Sequence, residues 1–243
     1  PMIVQAAGGI RVMVMLRDHR LDLEAMARAI TPMTKIVFIA NPNNPTATIV
    51  TADEVEHFMA RVPERTIVVF DEAYIEFAMG PDFPDTLGYV KQGRKVVVLR
   101  TFSKAASLAG LRVGYGVAEA DAIALMNRIR QPFNVNSLAQ AAALAALEDE
   151  SHILECVRMI EAGRHYLYDE FTTLGLRYVP SRANFIIVDV GRSASEIYQK
   201  LLHEGVIVRP MTPFGMETAL RITVGTPEEN RRLAKALRTV LEK

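Results

Sequence analysis

Four stretches of this chain place reactive side chains just beyond apolar runs. TIVVFDEAY (66–74) delivers adjacent carboxylates, Asp71 and Glu72, and then the phenol of Tyr74. FIANPNNPT (38–46) ends in amides set in a turn by two prolines, with Asn44 among them. KVVVLRTFSK (95–104) closes on two hydroxyls, Thr101 and Ser103, and a lysine, Lys104, with Arg112 eight residues later. ALRITVG (219–225) puts a charge, Arg221, inside an apolar run, and GVIVRPM (205–211) does the same with Arg209. An acid, a phenol, an amide and a lysine at one place can bind an anion, hold a proton and attack a carbonyl. Each has a plain structural alternative. Strand-end lysines are mostly solvated, Asn-Pro is a common turn, and Asp after a strand often caps a helix. An apolar strand ending in Asp-Glu also resembles the metal-holding strand of a nucleotide hydrolase. That chemistry needs a Gly-Lys phosphate loop, and the chain contains no Gly-Lys pair.

The elements that must position these groups follow from periodicity. Short β-rich runs alternate with helical patterns, which predicts a layered α/β fold. Strands are expected at 11–16, 35–40, 66–70, 95–100 and 113–118, several of them apolar on both faces as buried parallel strands are. Helices are expected at 22–30 and 51–61, the second opened by a capping box of Thr51 and Glu54. Beyond residue 119 the pattern turns helical, with Ser137 as a candidate cap and a long helix over 153–174 stopped by Gly175. A smaller α/β unit follows. It has strands at 183–190, 205–210 and 219–224, a helix at 193–203 and a last helix boxed by Thr226 and Glu229. Parallel strands would bring Asp71, Asn44 and Lys104 to one sheet edge, where ligand sites of α/β folds form. The expected division is a large domain over 1–160 and a small one over 161–243.

Composition narrows the partners. The 243 residues carry 28 basic and 28 acidic side chains, so nothing favours nucleic acid or an anionic membrane surface. No apolar run reaches the ~18 residues of a membrane span. The single cysteine, Cys156, fits a reducing compartment, so a cytoplasmic location is expected. Cys156 and His165 receive structural readings only, and no metal ligand set is assigned.

In combination, NPNNPT, DEAY, S-K followed by L-A-G-L-R-V-G-Y, and L-R-I-T-V-G resemble the pyridoxal-phosphate aminotransferases of fold type I. Within them LDLEAMARAIT, ANFIIVDV, GVIVRPM and LRITVGTPEEN are most similar to the histidinol-phosphate aminotransferases. The resemblance runs along essentially the whole chain. It implies a mainly parallel large-domain sheet flanked by helices, a smaller C-terminal α/β domain and pyridoxal 5'-phosphate as cofactor. It further implies a homodimer with shared sites, acting on small amino and keto acids. Lys104 would hold the cofactor covalently and then serve as general base and acid, so a neighbouring cation such as Arg112 should lower its pKa. Arg112, Ser103 and Thr101 would bind the cofactor phosphate, Asp71 the pyridine nitrogen, and Asn44 and Tyr74 the phenolic oxygen. Arg221 would bind the substrate's acidic group, with Arg209 as a second anion contact. The implied reaction is amino transfer between glutamate and imidazole acetol phosphate in histidine biosynthesis. An aromatic aminotransferase, a threonine-phosphate decarboxylase of the same fold and a silent fragment are the alternatives.

Two departures from the family pattern stand out. Ala47 replaces the glycine of N-P-T-G, at a cost of about 1 kcal/mol if that residue needs a positive φ. The family's N-terminal third also has no counterpart here, including a strand that would lie between 11–16 and 35–40, and Pro1 runs straight into apolar sequence. A fragment is therefore expected.

Overall fold

The computed structural model describes residues 2–242, and Pro1 lies outside them. After a short helix α1 (Met2–Ala6) comes α2 (Leu23–Arg28), then β1 (Ile36–Ala40), α3 (Ala52–Met59), β2 (Ile67–Asp71), α4 (Thr86–Lys91), β3 (Val96–Thr101) and β4 (Gly114–Val117). The first sheet has the order β1-β2-β3-β4. β1, β2 and β3 are parallel and β4 is antiparallel to β3. Buried β2 reads as a continuous apolar run, Val68 to Phe70, because both faces are covered. The Thr51–Glu54 capping box forms as expected at the start of α3. That helix and α2 bury Leu23, Val55, Phe58 and Met59 on Ile39, Val68, Phe70 and Val98.

Helices α5 (Ala120–Ile129), α6 (Ser137–Glu148) and α7 (Glu150–Thr173) lead to the second unit. It contains β5 (Arg177–Val179), β6 (Phe185–Asp189), α8 (Ala194–His203), β7 (Arg209–Pro210), β8 (Ala219–Thr223) and α9 (Pro227–Leu241). Its sheet is antiparallel throughout, in the order β5-β6-β8-β7. Gly175 terminates α7 at φ 68°, as its place past the last turn predicts. Gly163 lets α7 approach closely, since a Cβ there would meet the Val224 side chain at 2.5 Å.

Several expectations need correction. Residues 11–16 are not a strand. They make no ladder, Val12 and Met15 are 70% and 77% exposed, and only an isolated bridge joins Arg17 to Arg20. An alternating sequence becomes a strand only where a partner's backbone is available, and β1 pairs with β2 alone. Asn136, not Ser137, caps α6 by accepting the Ala139 N–H at 2.8 Å. The expected strand at 205–210 shrinks to Arg209–Pro210, where pairing with β8 occurs, and the short β5 was not anticipated.

One feature of the packing matters for chemistry. Ala47, Tyr74, Phe77 and Ala105, all from loops at the C-terminal edge of the first sheet, sit in the same core as Phe185, Ile186, Leu220 and Ile222 of the second. The two sheets are thus joined by apolar contact right beside the strand ends that carry the reactive groups.

Candidate functional site

Because β1, β2 and β3 run parallel, their C-terminal ends open on one edge, and each supplies its loop there. The loop after β1 is held by side-chain amides. Buried Asn41 exchanges two 3.0 Å hydrogen bonds with the Val50 backbone, and Asn43 donates to the Thr46 hydroxyl at 2.7 Å. This frame leaves Asn44 exposed, with its amide directed by two partners. Asn44 Nδ2 donates to the Tyr74 hydroxyl at 3.3 Å, and its Oδ1 accepts from Arg221 Nη1 at 2.8 Å.

Ala47 adopts φ 60° and is fully buried, so the left-handed conformation expected where the family has glycine is present. The strain of ~1–2 kcal/mol for an L-residue there is offset by burial of a methyl worth about 0.8 kcal/mol and by the unfolded-state entropy a glycine would add. Ala47→Gly is therefore expected to change unfolding free energy by less than ~1 kcal/mol in urea titration. A loss beyond about 2 kcal/mol would show that the turn carries no strain.

At the end of β2 the two carboxylates diverge, as alternation requires. Asp71 is exposed and accepts the Ala73 N–H at 3.1 Å. Glu72 is buried. It accepts from Thr86, and Arg100 donates to it from Nε and Nη2, each at 2.9 Å. Burial pushes the Glu72 carboxyl upward, against Thr86 and Arg100, which pull it down. This pairing ties β2 to β3 beneath the site and makes Glu72 a structural group.

β3 delivers the hydroxyl cluster. Thr101 Oγ1 donates to Ser103 Oγ at 2.9 Å and accepts the Ser103 N–H at 3.1 Å. Arg112, in a left-handed conformation after the 3-10 turn Ala109–Leu111, donates to Ser103 Oγ at 3.4 Å and to the Ala109 carbonyl at 2.8 Å. Lys104 follows, half-buried, its Nζ 5.1 Å from the centre of the Tyr74 ring. Burial, then the Arg221 charge, then the Arg112 charge lower its pKa. Arg112 was expected as the neighbouring cation. Arg221 outranks it, and 117 residues of chain separate Arg221 from the lysine.

Tyr74 links the two sheets. Its ring meets Phe185 edge-on at 5.2 Å, and the Arg221 guanidinium lies over the other ring at 4.9 Å. Burial raises the Tyr74 pKa, with Arg221 opposing and Asp71 contributing, so the phenol stays protonated. Since its oxygen accepts from Asn44, its own proton is free to be donated. On β8, Leu220 and Ile222 point into the core and Arg221 to the other face. Arg209 is its partner across β7 and β8. Among the described residues no carboxylate lies within ion-pair distance of Arg209, Arg221 or Arg112. Like charges directly opposite on neighbouring strands repel, so the Arg209–Arg221 pair favours an anion between them.

The structure thus joins Lys104, Tyr74, Asn44 and Arg221 in one chain of contacts. It places Thr101, Ser103 and Arg112 in a second cluster beside it, with Asp71 at the adjoining strand end and Arg209 across from Arg221. Sequence reasoning missed Phe185, whose ring carries Arg221, and the Asn41 frame. An aromatic inside an apolar strand and a buried amide in a turn give no signal of their own.

A family model described as aminotransferase class I and II matches residues 1–237. The chain is 50% identical over 98% of its length to a histidinol-phosphate aminotransferase of Moorella thermoacetica, of which it covers 62%. It is 52% identical over 99% of its length to histidinol-phosphate aminotransferase 2 of Pseudomonas fluorescens, covering 65% of that protein. The chain therefore spans just under two thirds of these curated relatives. Its fold matches a crystal structure of histidinol-phosphate aminotransferase from Sinorhizobium meliloti in complex with pyridoxal-5'-phosphate, with a TM-score of 0.88 and 33% identity. That match covers 98% of this chain and 66% of the other.

Proposed function

This chain belongs to the class I and II aminotransferase family, and from that membership we propose that it carries the lysine-bearing part of a histidinol-phosphate aminotransferase. The observation that carries the reading is the run of contacts Lys104–Tyr74–Asn44–Arg221, with Arg209 facing Arg221. These contacts support reading Lys104 as the proton-accepting amine beside an anion pocket formed by Arg221 and Arg209.

The donor set fits pyridoxal phosphate by its chemistry. Two hydroxyls and a guanidinium at Thr101, Ser103 and Arg112 suit a phosphate, and the planar fork of arginine matches its oxygens. Asp71 would hold a proton on the pyridine nitrogen. Tyr74 and Asn44, both with hydrogens to spare, would donate to the phenolic oxygen. When bound, the cofactor supplies the electron sink that lets a substrate Cα–H bond be broken. Lys104 then moves that proton. The lowering of its pKa by burial and two guanidiniums raises the neutral fraction that can accept it.

Arg221 and Arg209 would receive the carboxylate of glutamate in one half-reaction and the phosphoester of histidinol phosphate in the other. Identity near 50% to proteins bearing that name favours this substrate over the threonine-phosphate decarboxylase and aromatic readings. We further propose the division into a large unit over 1–160 and a small one over 161–243, a cytoplasmic location and a homodimer. Among the described residues no helix is long and apolar enough to cross a membrane. Exposed Ile129, Phe133, Leu138 and Leu144 give the dimer an apolar surface to cover.

Steady-state kinetics on both half-reactions of the full-length protein test the assignment. Arg221→Lys keeps the charge but loses the fork. It is expected to lower kcat/KM about ten- to a hundredfold for glutamate and histidinol phosphate alike, the worth of a charge-assisted bond. Arg209→Ala should hurt the phosphorylated substrate more than glutamate. If Arg221→Lys slows an uncharged amine equally, the residue supports the fold and does not read the anion.

A further inference from the structure

Arg182 sits in the turn between β5 and β6, three residues before Phe185, and grips segments 100 to 135 residues earlier in the chain. Its backbone N–H donates to the Ala47 carbonyl at 2.8 Å. Its guanidinium forks onto Asp82, Nη1 to Oδ2 at 3.3 Å and Nη2 to Oδ1 at 3.0 Å, and Nη2 also donates to the Ala78 carbonyl at 2.8 Å. The Asp82 carbonyl in turn accepts the Ala52 N–H that opens α3. One residue is therefore bonded to the turn that bears Asn44 and to the segment that follows Tyr74.

The turn from which Arg182 projects is itself fixed. Ser181 donates its backbone N–H to the Tyr168 hydroxyl at 2.8 Å, and Arg164 donates to the Ser181 carbonyl at 2.7 Å. Ser181 is buried, and its Oγ accepts from the Ala183 N–H and donates to the Phe185 carbonyl. Any displacement of Arg182 thus carries Phe185 with it, and Arg221 rests on the Phe185 ring.

We propose that Arg182 is a positioning residue for the site read above: it sets where Arg221 stands relative to Asn44 and Tyr74 without touching substrate. The inference rests on the aminotransferase reading. A partly exposed ion pair contributes little to global stability, and both partners here are more than a third exposed. Its worth lies in direction, because a planar fork shared between a carboxylate and a carbonyl holds one orientation.

The test uses Arg182→Ala and Arg182→Lys in the full-length protein. Amide hydrogen exchange is expected to quicken several-fold at Met79, Phe83 and Ala52 in Arg182→Ala, with α9 unchanged. Kinetically, kcat/KM for glutamate should fall about threefold to tenfold, mostly through KM, as expected for a misplaced anion contact. An uncharged amine should keep its rate, and Arg182→Lys should recover part of the loss. On an Arg221→Ala background Arg182→Ala should cost nothing further, since residues acting through one another are non-additive. Additive losses, or equal losses with the uncharged amine, would overturn the proposal. So would exchange that is unchanged or raised throughout the molecule. If the wild-type protein transfers no amino group, the function reading fails by itself, and exchange confined to those three amides still decides whether Arg182 is the staple described.

Discussion

Lys104→Ala in the full-length protein is expected to lower turnover by roughly 10³-fold or more while leaving the fold intact. Proton transfer by a positioned side chain alone contributes about 10²–10⁴-fold, and the proposed covalent role would be lost with it. Burial, with the Arg221 and Arg112 guanidiniums nearby, lowers its proton affinity and makes the lysine costly to keep as a mere surface charge. The sign of the linkage follows. A lysine whose pKa is lower folded than unfolded costs stability below its folded pKa. That cost fades as pH rises from there to the unfolded value near 10.4. Removing the amine should therefore relieve the fold at neutral pH, with a benefit that vanishes in alkali. Lys104→Met keeps the apolar stem against Tyr74 and is expected to melt no lower than wild type at pH 7. The measurements are turnover, thermal midpoint against pH, and the visible absorbance of protein treated with pyridoxal phosphate and then borohydride. Turnover retained within tenfold of wild type overturns the assignment.

The parts of this molecule that were legible in its sequence are those whose cause is local. Thr51 with Glu54 and Thr226 with Glu229 cap helices through bonds three residues apart, and both boxes form. The ends of β2 and β3 follow from apolar runs that stop at polar residues, which is why Asp71, Thr101 and Lys104 could be placed at one edge. Ala47 was legible through the glycine it replaces, and φ 60° is what that glycine would have served. Pairings set by the whole fold left no such mark. Arg221 finds Asn44 across 177 positions, and Arg182 finds Asp82 across 100. Residues 11–16 have a strand's alternation without a strand's partner, whereas β5 has a partner and too few residues to show a period. Periodicity reports which faces could be buried, and pairing reports which are.

Asp71→Asn and Glu72→Gln, adjacent isosteric changes, are expected to fail in different ways. Asp71 is exposed at the strand end, and among the described residues its carboxylate is hydrogen-bonded only by the Ala73 N–H. Asparagine preserves that acceptor, so stability should stay within about 0.5 kcal/mol of wild type. What disappears is the negative charge that the proposed function sets against the pyridine nitrogen. Turnover should drop by at least ~10²-fold, the worth of a well-placed electrostatic partner. Glu72 is the reverse case. The residue is 1% exposed, and its carboxylate accepts from both Thr86 and the Arg100 guanidinium. Glutamine leaves partly buried Arg100 without its ion-pair partner, and breaking a buried pair from one side costs roughly 3–5 kcal/mol. The Arg100 side chain keeps 21% of its surface exposed, so the lower end of that range applies. Glu72→Gln should thus melt earlier yet turn over at near the wild-type rate per folded molecule. Urea titration and turnover at a temperature where both variants are folded separate the two. A Glu72→Gln protein that is stable but inactive would mean that β2 presents the other carboxylate to the site, one residue out of the proposed register.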